Sequence, residues 1–163
     1  MKALIFYDSV YGNTKKIAEA VADGFRELKA ECRLIHATEV TAAAVAAADL
    51  VVIGSPTRAF RAVDSVVKAL KDPGIPYDGK KFAAFDTRID PADIKSGFFR
   101  RIVTSFGYAT DQIVKLAVKR GAVPVADPVG FCVTGKEGTI LRKGEAERAF
   151  GWAKALFETH AKK

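Results

Sequence analysis

The sequence predicts an α/β fold, a doubly wound parallel sheet of five strands with helices on both faces. Three observations predict it. Short apolar runs alternate along the chain with segments of helical period. Strands joined in that way form right-handed βαβ units and therefore a parallel sheet. The stretches richest in glycine and hydroxyl residues follow strands, at the edge where such sheets hold their ligands.

Taken in order, the apolar runs are Ala3–Tyr7, Arg33–His36, Leu50–Ile53, Phe82–Phe85, and Val123 with Val125, continued by Val129–Val133. Helical patterns separate them at Thr14–Leu28, in an alanine-rich piece near Thr41–Ala47, and at Val63–Leu70, Asp111–Lys119 and Gly144–His160. Asp72 to Gly79 contains two prolines and two glycines and reads as one long surface turn. The connection from Ile89 to Tyr108 is longer than a strand-to-helix link needs. With Asp111–Lys119 as the next helix, capped near Thr110, Asp93–Val103 reads as an added amphipathic helix carrying phenylalanines and arginines.

No repeat, linker or low-complexity segment divides the chain, so residues 1–163 are expected to form a single domain. At that length about 70% of the unfolded surface is buried on folding. Apolar residues make up 49% of the sequence, but no run approaches the ~20 needed to span a bilayer. The chain opens directly into a patterned strand rather than a charged leader, and a cytoplasmic protein without membrane insertion is expected. The formal charge of +7 is dispersed over Lys15-Lys16, Lys80-Lys81, Arg100-Arg101, Lys119-Arg120 and Lys162-Lys163. That pattern fits a solvated surface or an acidic partner better than nucleic acid. Cys32 and Cys132 sit in apolar strand contexts and read as buried free thiols; with His36 and His160 isolated, no metal site is expected.

Chemistry concentrates after the first strand. Ser9, Val10, Tyr11, Gly12, Asn13 and Thr14 lie between an apolar strand and an amphipathic helix. Gly12 allows positive φ or close backbone approach, Ser9 and Thr14 carry hydroxyls, and the new helix presents unpaired N–H groups. There is no lysine of the P-loop type and no three-glycine dinucleotide pattern. A monophosphate held by uncharged donors is the reading these residues support. No Ser-His-Asp set or paired carboxylates are visible, so no catalytic residue is nominated.

A strand followed by S-x-x-G-N-T resembles the flavin mononucleotide (FMN) signature of the flavodoxin family. Leu50 to Thr57 resembles that family's second flavin loop. Phe131-Cys132-Val133, Gly138 to Leu141 and Gly144 to Ala153 are similar to its last strand and C-terminal helix. The resemblance covers essentially the whole chain and implies a flavodoxin-like sheet of strand order 2-1-3-4-5. It implies that Ser9, Tyr11, Gly12, Asn13 and Thr14 hold the FMN phosphate, with the backbone N–H of Val10. It implies that Ser55, Pro56, Thr57, Arg58, Ala59 and Phe60 flank the isoalloxazine ring, Phe60 being the aromatic able to stack on it. Asp86, Thr87 and Arg88, in a loop after strand four, would meet the pyrimidine edge, with Asp86 shaping its own turn.

The chain departs from the family pattern in three ways. Its charge is basic where flavodoxins are acidic. Where the family often has glycine or asparagine in the second loop, the corresponding stretch here is Thr57-Arg58-Ala59-Phe60. A Cβ at positive φ costs about 1 kcal/mol or more, so a backbone flip that needs positive φ is expected to be unfavourable. Arg58, Arg61 and Arg88 place positive charge near the inferred ring, which favours anionic reduced flavin. The expected function is an FMN-binding electron carrier that passes electrons between redox protein partners, acidic ones included, through an exposed flavin edge. The alternatives are an FMN-dependent reductase acting between a nicotinamide and a quinone-type acceptor, and a binding module of the same fold without redox activity.

Overall fold

A computed structural model describes residues 1–160; Lys162-Lys163 of the dispersed charge lies outside the described residues. The chain begins with β1 (Lys2–Tyr7), α1 (Asn13–Glu27), β2 (Glu31–His36), α2 (Ala42–Ala47), β3 (Leu50–Pro56), α3 (Asp64–Lys71) and β4 (Lys81–Ile89). It continues through α4 (Gly97–Phe106), α5 (Ala109–Lys119), β5 (Val123–Pro124), β6 (Val129–Thr134), β7 (Ile140–Leu141) and α6 (Glu145–His160).

The sheet runs β2-β1-β3-β4-β6-β7, and β5 also pairs with β4. The predicted fifth strand is therefore present in two pieces. β5 pairs with the start of β4, Lys81 with Val123, and β6 with its end, Phe85 with Val129 through Ile89 with Val133. Pro124 and Pro128 bracket the interruption, and proline offers no N–H to a ladder. With β5 and β6 counted as one strand, the order is the expected 2-1-3-4-5. The addition is β7, which returns antiparallel along β6, Val133 opposite Leu141.

Alternation along the strands divides the core into two layers. Ile5 and Val52 face α1 and α6, packing with Ile17, Val21, Phe25 and Ala153. Leu4, Phe6, Val51 and Ile53 face the opposite way, toward α2, α3 and α5, and meet Val45, Val66, Leu70 and Ile113. Gly24 lets α1 and α6 approach so closely that a Cβ would lie 2.6 Å from the Phe150 carbonyl oxygen. Gly54 stands in β3 opposite Phe85, whose ring fills the space a side chain would take.

Several boundaries differ from the sequence reading. β3 runs through Ser55 and Pro56, and β4 runs through Asp86, Thr87 and Arg88, so these are strand residues and not loop residues. The pairing of β6 with the far half of β4 accounts for the extension. α5 starts at Ala109, capped at Tyr108, with Thr110 inside the helix. The added helix is α4 over Gly97–Phe106, later than 93–103, because Pro91–Asp93 forms a separate short turn and Ser96 caps the Phe99 N–H. Both cysteines are free but only partly buried, and burial pushes the Cys32 thiol up to about 11.

Candidate functional site

The C-terminal ends of β1, β3, β4 and β6 surround a cavity of about 410 Å³, within the range of roughly 300–1,000 Å³ usual for small-molecule sites. A larger one, about 580 Å³, opens at the other end of the strands beside Met1, Asp49, Lys81 and His160. Ligands of doubly wound sheets sit outside the carboxyl ends, so the smaller cavity is the candidate.

Its first wall is the β1–α1 loop. Asp8 anchors the loop's start: Ser65 Oγ donates to it, His36 Nε2 lies 3.1 Å away and the Ser9 N–H donates to it at 2.5 Å. Burial pushes the Asp8 carboxyl up, but these hydrogen bonds outweigh it and hold the group below the usual carboxylate range. Ser9 Oγ accepts from the Lys15 N–H at 3.2 Å, so this hydroxyl braces the loop from inside and does not line the cavity. Gly12, at φ 84, is the N-cap of α1 without a side-chain cap bond. Positive φ there is the conformation only glycine adopts without strain.

Val10 and Tyr11 are exposed, while Asn13 and Thr14 are buried. Asn13 Nδ2 donates to the Gly138 carbonyl at 3.1 Å, and the Thr14 and Thr87 hydroxyls pair at 2.8 Å. Thr14 is thus a cross-link to β4 rather than a helix cap. Among the described residues no acceptor takes the backbone N–H groups of Val10, Tyr11, Gly12, Asn13 and Thr14. A row of free N–H groups at a helix N-terminus, with no acidic residue in the first turn, can hold an anion through uncharged donors.

The second wall follows β3. Pro56, Thr57, Arg58 and Ala59 line the cavity, whereas Ser55 is fully buried, its Oγ donating to the Pro56 carbonyl and accepting from the Val63 N–H. Thr57 is held by its N–H to the Thr87 carbonyl and by the Ala109 N–H to its Oγ1, both 2.9 Å. Arg58 and Arg61 then exchange backbone hydrogen bonds at 2.9 and 3.1 Å, which closes a hairpin over two residues. A two-residue hairpin requires positive φ at its centre, and Ala59 and Phe60 adopt 46° and 67°. The conformation expected to be unfavourable is therefore already present. The same turn directs Phe60 away from the cavity, onto Phe106 of α4 at 5.3 Å between ring centroids.

The third wall is the end of β4, where Thr87, Arg88 and Ile89 line the cavity. Asp86 is fully buried behind it and receives Arg88 Nε at 2.5 Å and Nη2 at 2.7 Å, together with the N–H and hydroxyl of Thr110. It shapes no turn of its own. The Arg88 guanidinium lies 3.6 Å from the centre of the Tyr108 ring, and a Cβ on Gly130 would collide with it. Arg88 is accordingly fixed between an aromatic face and a strand backbone, with its charge matched by Asp86. Burial raises the Tyr108 phenol above its ordinary value, while the Arg88 charge acts in the opposite sense.

Val133, Glu137 and Gly138 complete the cavity, and sequence reasoning did not place them there. They come from the β6–β7 connection, where Tyr11 donates its hydroxyl to Glu137 Oε2 at 3.0 Å. Gly135 and Gly138, both at positive φ, mark a tight return that was visible in Thr134-Gly135-Lys136-Glu137-Gly138. Among the described residues no group of His, Cys, Asp and Glu is placed to hold a metal, and no helix is long and apolar enough to cross a membrane.

Comparison with known proteins shows what the chain resembles. The family model described as "Flavodoxin domain" matches residues 4–71, which hold the first and second loops. A flavodoxin of Aquifex aeolicus (strain VF5) is 51% identical over 57 residues, 34% of this chain and 31% of that protein's length. Over these residues the chain is similar to flavodoxins. The flavodoxin-like fold extends over the rest of the chain. Oxidised flavodoxin 1 from Bacillus cereus superposes with a TM-score of 0.72 at 22% identity, covering 98% of this chain and 99% of that one. Flavodoxin 2 from Bacillus cereus gives 0.70 at 25% identity, covering 97% and 99%. Flavodoxin homologues bind flavin mononucleotide.

Proposed function

We propose that this flavodoxin-like chain binds FMN in the 410 Å³ cavity and carries electrons between redox proteins through the flavin's exposed edge. The observation that carries the reading is the run of five backbone N–H groups, Val10 to Thr14, left without an internal acceptor at the start of α1. A phosphate there gains charge-assisted hydrogen bonds from groups already fixed in place. The loop is braced from three sides, by Asp8, by Ser9 and by the Thr14–Thr87 pair, so little ordering remains to be done on binding.

In this reading Pro56 to Ala59 form one flank of the ring site, and Thr87 and Arg88 border its far end. Ser9, Ser55 and Asp86 act from behind, each by holding a neighbour. Phe60 stacks on Phe106, not on the ring. The flavin, once bound, supplies the one-electron and hydride chemistry, and the chain supplies position and electrostatics. A cytoplasmic setting belongs to the same proposal, in keeping with two free thiols.

Purified protein is expected to be yellow, or to become so on adding FMN. Anaerobic mixing with NADH or NADPH tests the carrier role. A carrier stays oxidised until a separate reductase is added. Rapid bleaching by the nicotinamide alone would replace the carrier with the reductase reading, and failure to take up FMN would remove both.

A further inference from the structure

α4 is fastened by its two ends and not by its face. Before it, Arg142 joins Asp90 at 2.9 Å and Asp93 at 2.5 Å, and the Asp90 carboxylate also takes the Ala92 N–H. After it, Asp111 accepts the Tyr108 N–H at 2.7 Å while Tyr108 lies on Arg88. Between these clamps none of the ten residues of α4 is buried. Phe98, Phe99 and Phe106 are 78%, 51% and 69% exposed. A helix this short is marginal alone and normally owes its stability to burying an apolar stripe. Here Ile102 and Val103 are half-buried, and the three phenylalanines of the stripe are left open.

The stripe continues to the cavity mouth. Phe106 stacks on Phe60, at the tip of the hairpin whose neighbouring residues, Arg58 and Ala59, line the cavity. Cations predominate in its charged surround. Lys95, Arg100 and Arg101 belong to the α4 segment, and Arg58 and Arg61 to the hairpin. Of the carboxylates flanking α4 in sequence, Asp93 pairs with Arg142 and Asp111 accepts the Tyr108 N–H. An exposed apolar patch with a charged rim marks an interaction site.

We infer that α4 and the Arg58–Arg61 hairpin form a docking surface for an acidic electron-transfer protein. The inference rests on the electron-carrier reading for the partner's class and on the patch itself for the partner's charge and apolar contact. Five cations call for carboxylates opposite, which speed encounter and orient it. A second copy of this chain would bring the same cations face to face, a costly arrangement. A lipid surface would match the charge equally, but the patch is preset: Phe106 is held on Phe60, and Arg100 Nη2 donates to the Ile94 carbonyl at 2.7 Å. Fixed apolar contacts beside a cofactor cavity suit a protein face that must bring a second redox centre near.

The test is calorimetric titration of the full chain, with and without FMN, by an oxidised plant-type two-iron ferredoxin, chosen as an acidic one-electron carrier. Wild type is expected to bind at low ionic strength and to weaken as salt is added. Phe98→Ser with Phe99→Ser, and separately Arg100→Glu with Arg101→Glu, should each lose at least ~tenfold in ferredoxin affinity with FMN affinity and far-UV circular dichroism unchanged. No binding by wild type, or equal binding by both variants, overturns the inference. So does binding to mixed phosphatidylserine–phosphatidylcholine vesicles that the phenylalanine variant loses while its ferredoxin affinity holds. Self-association in sedimentation that the same variant abolishes, without ferredoxin binding, overturns it in favour of a second copy. Failure to bind FMN would sink the functional reading separately, because the flavin-free titration still reads the surface.

Discussion

The first loop lines the cavity, the 89–110 segment leads away from it at Ile89, and the two are built on different principles. Residues 9–14 are uncharged and contiguous, braced by Asp8 and Ser9 within the loop and by uncharged ties such as Thr14 to Thr87, and what they present to a ligand is backbone. The 89–110 segment is organised by charged side chains reaching across the fold: Arg88 to Asp86, Thr110 and Tyr108, and Arg142 to Asp90 and Asp93. The burial of Asp86 makes that second network stringent, because a buried carboxylate is tolerated only when paired and hydrogen-bonded. A backbone site should therefore lose ligand affinity when altered, and a charge-clamped site should lose stability.

Removing one partner of the clamp is the largest test of that difference. Asp86→Asn leaves the Arg88 guanidinium without its countercharge, and a loss of about 3 kcal/mol or more is expected in urea denaturation. Adding Arg88→Met should recover most of it; equal instability of the single and double variants would show that packing and not charge holds the segment. Next in size, Gly12→Ala places a Cβ at φ 84, where no atom obstructs it but the backbone is strained by about 1 kcal/mol or more. Its larger effect should fall on FMN affinity, read by flavin fluorescence quenching, as the loop relaxes away from the ligand. Ala59→Gly should act in the opposite direction, stabilising the hairpin by up to ~1 kcal/mol because the strained φ of 46° becomes permitted.

The smallest effect concerns pH. The Asp8 carboxyl is held below its unfolded value, so its contribution is complete above about pH 4 and is lost as pH falls through the lower, folded value. Asp8→Asn should lower stability at neutral pH and converge on wild type as pH falls, which flattens the acid limb of the stability–pH profile. An unaltered acid limb would mean that Ser65 and His36 do not favour the charged form.

The same contrast separates what was legible in the sequence from what was not. The alternation of strands and helices, and the first loop, were readable because they depend on neighbours. Ser9 to Thr14 lie between one strand and one helix, and Gly12 announces its own backbone. Asp86 was read as a loop residue because its burial depends on Arg88 reaching Thr110 and Tyr108, twenty or more positions on. Phe60 was expected at the flavin because nothing local shows that Arg58 and Arg61 close a hairpin that turns its ring outward. Glu137 and Gly138 reach the cavity only because β7 folds back on β6, a two-residue pairing too short to leave a pattern.

Calorimetric titration with FMN and with riboflavin, which differ by the phosphate alone, tests the first loop most directly. Two net hydrogen bonds to a charged group, at about 1.5 kcal/mol each, already amount to roughly a hundredfold in affinity. FMN is predicted to bind at least that much more tightly than riboflavin in wild type, with the gap narrowing in Gly12→Ala. Equal affinity for the two ligands, or no heat with either, would contradict the assignment of the Val10–Thr14 N–H groups to a phosphate.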